Sequence, residues 1–175
     1  MNRDHRVFLA LALNATLCFL LSEVNSVLSR ISLHLTLDVL YLLFAVLYFR
    51  VHHGLIVVMI SALAVDSLVQ IPFGQSIFVY SFAYLIALRM RFGMRRENYY
   101  HVMIIALTAN AAIYVANTLA AIGEGFPGST YWIRCTSDFL LSELLIALIA
   151  SLYVRFQKNL FYHVGIDLAS ELQLL

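Results

Sequence analysis

Proline and glycine are scarce in this chain, with 2 Pro and 7 Gly among 175 residues. That leaves little material for long irregular loops. Charge is scarce too. Asp, Glu, Lys and Arg together make up 12% of the residues, against about 25% in an ordinary soluble domain, which excludes a solvated globular surface. The net charge of +1 says nothing about partners, and no nucleic-acid partner is expected. The two cysteines, Cys18 and Cys135, lie far apart with no metal-ligand spacing. They indicate neither a CxxC site nor a disulfide framework and read as small packing residues. Nucleophile elbow, phosphate-binding glycine loop and HExxH are all missing. No catalytic residues, cofactor or metal site are expected, and the chain reads as a non-enzyme.

What is present is apolar sequence, 62% of the chain. At about 20 apolar residues per membrane span, six spans account for most of the length. Their expected bounds are 7–21, 35–49, 55–71, 77–92, 102–122 and 131–154, followed by an amphipathic tail over 160–175 in which Leu160, Val164, Leu168 and Leu172 recur every four residues. Backbone polar groups in lipid must be satisfied within the segment or in a closed barrel. These runs lack the strict alternation of barrel strands, so helices are expected. The predicted fold is a single all-α integral membrane domain, a bundle of about six transmembrane helices over residues 1–175. Arg3 and Arg6 before the apolar run from Val7 to Leu21 resemble a signal peptide, but Ser22-Glu23-Val24-Asn25-Ser26 offers no clean cleavage site, so an uncleaved first span is expected.

Orientation follows from the cations. With the N-terminus inside, Arg3, Arg6, Arg50, Arg89, Arg91, Arg95, Arg96, Arg155 and Lys158 fall on the inner side and only Arg30 and Arg134 on the outer, nine of the eleven Lys and Arg residues. The positive-inside rule then places both termini in the cytoplasm of a multi-pass inner-membrane protein. The basic, aromatic stretch from Arg89 to His101 suits contact with anionic lipid head groups or a cytoplasmic partner. Arg50, His52 and His53, in the inner turn between spans two and three, read as interface positioning.

Ionisable groups inside spans cost about 2.5–3.5 kcal/mol each on insertion scales, so each needs a reason. Asp38, Asp66, Asp138 and Glu143 are such groups. Ala62, Asp66 and Gln70 share one helical face, and Asn110, Tyr114, Asn117 and Ala121 form another polar stripe. His34 precedes Asp38 by one turn, and Arg134 precedes Asp138, offering each acid a local partner. The group Asp66, Gln70, Gly74, Asp38, Asn110, Asn117, Asp138 and Glu143 reads first as interhelical polar glue. A polar pocket open to the outer side, or an ion path, is the sharper alternative.

The stretch from His53 to Arg91 resembles the bacterial rod shape-determining MreD family. The matching positions are Asp66 in a span, Gly74 after a short turn, Ala83-Tyr84-Leu85 at the end of the next apolar helix, and the basic segment from Arg89 to Arg96. The family often has glycine one turn before and one turn after the acid, where this chain has Ala62 and Gln70. The resemblance implies a non-enzymatic inner-membrane scaffold of the cell-elongation machinery, binding a single-span MreC-like protein and acting with MreB. It also implies a fold similar to the substrate-binding components of energy-coupling factor vitamin transporters, which is the alternative function. Those components dock through small residues on the first span, for which Ala12 and Thr16 are the candidates here.

The topology is testable in a variant lacking Cys18 and Cys135. A cysteine placed at Ser129 is expected to react with an impermeant thiol reagent in intact cells, and one at Asn98 only after permeabilisation. The reverse pattern would invert the orientation.

Overall fold

The computed structural model describes residues 4–68, 74–92, 98–122 and 128–166. Six α-helices make up the fold, with no β-strand among the described residues: α1 Asp4–Leu28, α2 Val39–Tyr48, α3 Val51–Leu68, α4 Gln75–Arg91, α5 Tyr99–Ile122 and α6 Ser129–His163, with a 3-10 turn at Ser29–Ile31. Four stretches, His5–Ile31, Val51–Leu68, Tyr99–Ala120 and Ser129–His163, are long and apolar enough to cross a membrane.

The bundle is organised around its shortest helix. Every residue of α2, from Val39 to Tyr48, is buried, and the other five helices all pack against it. A helix apolar on all sides belongs in the middle of a structure. The neighbours turn single stripes towards the interior. On α1 the stripe is Ala10, Asn14 and Cys18, four residues apart. On α6 it is Asp138, Ser142, Ile146, Ala150, Val154 and Phe161. The opposite faces are also apolar: Phe8, Phe78, Phe82, Ile133, Leu140, Leu144, Leu148 and Leu152 are all more than half exposed. Apolar side chains covering this much of a surface suggest an α-helical membrane protein, because water would penalise a patch of this extent.

The predicted span 35–49 is helical only over Val39–Tyr48. Ser32 takes a left-handed conformation at φ 60° and ends the 3-10 turn; residues 33–37 carry no regular structure. Leucine-rich sequence reads as helix or as extended chain equally well until its hydrogen-bond partners are known. Here the partners are side chains of α1 and α6. Ten residues of helix reach only about 15 Å, half the roughly 30 Å of a hydrocarbon layer.

The predicted break between span six and a tail helix is also corrected. Helix α6 continues unbroken to His163, about 52 Å. It stops in a Schellman turn, where Gly165 adopts φ 75° and the N–H groups of Ile166 and Gly165 bond to Phe161 and Tyr162 at 2.9 Å each. Glycine accepts that left-handed turn at no steric cost. The turn is anchored because Ile166 and Phe161 are both buried. The expected tail helix over 160–175 is therefore interrupted at Gly165, and its remainder from 167 lies outside the described residues.

Helices α3 and α4 run antiparallel, and α4 is parallel to α2. The Tyr84 hydroxyl of α4 donates to the Val51 carbonyl in the first turn of α3 at 3.2 Å. This approach requires Gly54, because a Cβ there would overlap the Tyr84 hydroxyl and crowd the Ala45 carbonyl. Gly54→Ala is expected to destabilise the protein by about 1–3 kcal/mol through overpacking. Adding Tyr84→Phe should recover part of that loss by removing the clashing oxygen. Thermal unfolding of the single and double variants in detergent checks this, and a Gly54→Ala protein as stable as its parent would contradict it.

Candidate functional site

The polar residues do not gather into one centre. They form separate ties, each joining one helix to the backbone or an amide of another. Asp66, buried near the end of α3, accepts hydrogen bonds from the N–H of Gly74 at 2.7 Å and of Ser76 at 3.3 Å. Those N–H groups belong to the N-terminus of α4, where no intrahelical acceptor exists. The carboxylate thus caps a helix from outside it and also meets the positive end of the helix dipole. Gly74 makes the approach possible by adopting φ 96°, a region closed to most L-residues. Gln70, expected on the same face as Asp66, lies outside the described residues.

The other end of α4 carries the complementary charge. Arg91 is buried and its Nη1 donates to the carbonyls of Val46 at 2.5 Å and Phe49 at 3.1 Å. These carbonyls lie at the C-terminal end of α2, where a cation is favoured. The basic stretch predicts a surface role for Arg91; its guanidinium is instead an internal cap. Arg89, two residues earlier, is exposed.

The irregular segment before α2 is held from two sides. Asn25 of α1 accepts from the Leu35 N–H at 2.8 Å and donates to the Leu35 carbonyl at 2.9 Å. From α6, Asp138 accepts from the His34 N–H at 3.2 Å and Ser142 accepts from the Thr36 N–H at 3.0 Å. The N–H groups of residues 34 and 36 thus reach α6, while that of residue 35 reaches α1. The expected pairing of Asp138 with Arg134 does not form: Arg134 is exposed, and the acid binds backbone 104 residues away in sequence.

In the middle of the bundle, Asn14 of α1 donates to the Tyr41 carbonyl of α2 and to the Ser61 hydroxyl of α3, both at 2.8 Å. Between α5 and α6, Asn110 donates to Glu143 at 3.1 Å and the Tyr114 hydroxyl donates to the Cys135 carbonyl at 2.7 Å. The Tyr99 hydroxyl donates to the Ala147 carbonyl at 2.9 Å. Residue numbers that rise on α5 as they fall on α6 mark an antiparallel pair. Asn117 is half-buried one turn beyond Tyr114. Asp38, half-buried at the start of α2, makes no cap to its own helix; His34, Tyr41 and Tyr80 are close enough to interact with it electrostatically.

Asn14, Asn25, Ser142 and Arg91 are not among the residues that the sequence singles out for a site. Asn14 carries a usable signal, since Ala10, Asn14 and Cys18 repeat the four-residue spacing that marks Asp66. Asn25 and Arg91 carry none, because their partners are backbone atoms in other elements. Among the described residues no three His, Cys, Asp or Glu side chains are grouped to hold a metal ion. Comparison with family models, with curated proteins and with solved structures finds no match.

The cap geometry decides how Asp66 responds to substitution. Asparagine offers one carbonyl for two N–H groups and no charge for the helix end. Asp66→Asn is therefore expected to cost about 1–3 kcal/mol, and Asp66→Ala more. Gly74→Ala should cost about 1–2 kcal/mol from the left-handed backbone alone. Denaturation in detergent measures all three; an Asp66→Asn protein as stable as its parent would remove the cap from the account.

Proposed function

We propose that this chain is a non-enzymatic inner-membrane scaffold subunit of the bacterial cell-elongation machinery, an MreD-like protein that binds a single-span MreC-like partner and acts with MreB. One observation carries the reading. The positions that give the resemblance, Asp66 and Gly74, are hydrogen-bonded to each other at 2.7 Å, and Ala83 and Tyr84, further along α4, are fully buried. A shared motif used to join helices fits a family whose work is to hold a shape for partners. Asp138 and Glu143 are likewise tied to a backbone N–H and to an amide.

In this reading the chain crosses the membrane six times with both termini in the cytoplasm. The second crossing is discontinuous: residues 33–37, which carry no regular structure, could cover up to about 17 Å at roughly 3.3 Å per residue, and α2 adds about 15 Å. Together they are long enough for the hydrocarbon layer. Irregular backbone is tolerated at that depth only when protein surrounds it, as the bonds from Asn25, Asp138 and Ser142 do here. Partners then meet the apolar outer faces of the long helices and the short connections.

Depletion in a rod-shaped host tests the proposal. Cells are expected to round up while vitamin uptake, measured in parallel, stays normal. Unchanged shape with a specific uptake defect would overturn the scaffold reading in favour of a transporter substrate-binding component.

A further inference from the structure

Helix α6 is longer than a hydrocarbon layer, and its exposed residues change character along its length. Leu144, Leu148 and Leu152 recur every four residues and are each more than half exposed, so they form one outward row. Phe156, also more than half exposed, continues that row by a further turn. From there the exposed surface is polar. Arg155, Lys158, Asn159 and Tyr162 all face out, and their spacing of three, four and seven residues puts them on one side of the helix. No acid falls between Glu143 and Asp167 in the sequence.

The lengths match a bilayer. Arg134, the exposed cation near the start of α6, is separated from Arg155 by about 32 Å of helix, close to the roughly 30 Å of a hydrocarbon layer. The stretch from Arg155 to His163 adds about 12 Å, at the depth of lipid phosphates. It also runs past the start of the neighbouring helix. The Tyr99 hydroxyl, in the first turn of α5, bonds to the Ala147 carbonyl, about two turns short of Arg155. The opposite side of the stretch is fixed to the bundle. Gln157 and Phe161 are fully buried, and Phe161 packs on Phe44 and Phe49 with ring centroids 4.9 and 6.1 Å away. That packing holds the cationic side outward.

We propose that this side of α6 binds an anionic phospholipid, with Arg155 and Lys158 at the phosphate and Leu148, Leu152 and Phe156 along an acyl chain. A guanidinium presents two N–H groups to phosphate oxygens in one plane, and cations at this depth attract lipids of net negative charge. Tyr162 stands at head-group level, where an amphipathic ring is favoured. A zwitterionic lipid balances its own phosphate, and a free phosphate has no chain to lie on the leucine row. The site depends on the chain lying in a bilayer, not on the scaffold role.

The test uses the purified chain in uncharged detergent at fixed ionic strength, so that general screening is constant. Phosphatidylglycerol is added to increasing mole fraction while thermal unfolding is followed. A saturable rise in Tm is expected, as for any ligand of the folded state, with no rise from phosphatidylcholine or inorganic phosphate. Arg155→Gln and Lys158→Gln should each raise the half-saturating mole fraction about fivefold, the ratio equivalent to about 1 kcal/mol per surface charge. Arg155→Lys should lose much less. These side chains are exposed, so none of the changes disturbs the core. Arg89→Gln removes an exposed cation from α4 and should leave the midpoint within about twofold of the parent, below the effect of one bound charge. An Arg89→Gln loss equal to that of Arg155→Gln would mean diffuse attraction to net charge, and overturns the site. A matching rise with phosphatidylcholine or inorganic phosphate overturns it too. So does a parent that ignores phosphatidylglycerol, as expected if this face docks an acidic protein segment instead.

Discussion

Backbone N–H and C=O groups withdrawn from water must find partners inside the protein, and that requirement shapes this bundle more than any side-chain contact. Helices meet it within themselves except at their ends. Among the described residues, helix fails over 33–37, directly before the most buried helix. Asn25, Asp138 and Ser142 supply acceptors and donors there from two different helices. Alternate residues of the segment turn to α1 and to α6. Without these side chains the segment would hold unpaired polar groups in an apolar setting, at about 1–3 kcal/mol for each group.

The same logic accounts for the buried charges. Asp66 and Arg91 do not pair with each other; they sit at opposite ends of α4, each against uncapped backbone. A carboxylate at a helix N-terminus and a guanidinium at a helix C-terminus are both favoured by the partial charges of those ends. This avoids the desolvation cost that a buried ion pair recovers only with excellent geometry. It also fixes α4 lengthwise, against α3 through Gly74 at one end and against α2 through Val46 and Phe49 at the other. Gly54 then admits the Tyr84 hydroxyl to the first turn of α3, and three helices are held in register by polar contacts. Apolar packing alone fixes no such register, because one leucine face slides over another at little cost.

Some of this was legible in the residues. The apolar runs located α1, α3, α4, α5 and α6 to within a few residues at most ends, and the i, i+4 spacing placed Asp66 on an interior face. The family resemblance brought Asp66 and Gly74 into one motif, although the bond between them is not evident from spacing. What could not be read were contacts across long separations. Asp138 has Arg134 one turn away and binds His34 instead, because the helix turns Arg134 outward. Arg91 reads as one more cation of a basic stretch, and its buried role depends on where α2 ends. The continuity of α6 through residues 155–160 was hidden by charges that resemble a boundary.

The amino-acid sequence by itself determined the class of the structure: an all-helical bundle with apolar outer faces. Composition and periodicity are local properties, and helical hydrogen bonds join residues four apart, so a short window contains the information needed. Only the tertiary structure decided that the segment before α2 is not helical, that α2 is surrounded by the other five helices, and which backbone groups Asp66, Arg91 and Asp138 satisfy. Those outcomes depend on unpaired polar groups in one element meeting side chains from another, often more than 40 residues distant. A leucine-rich run has the same local preference whether or not such partners await it, so its final form is set by the assembled bundle.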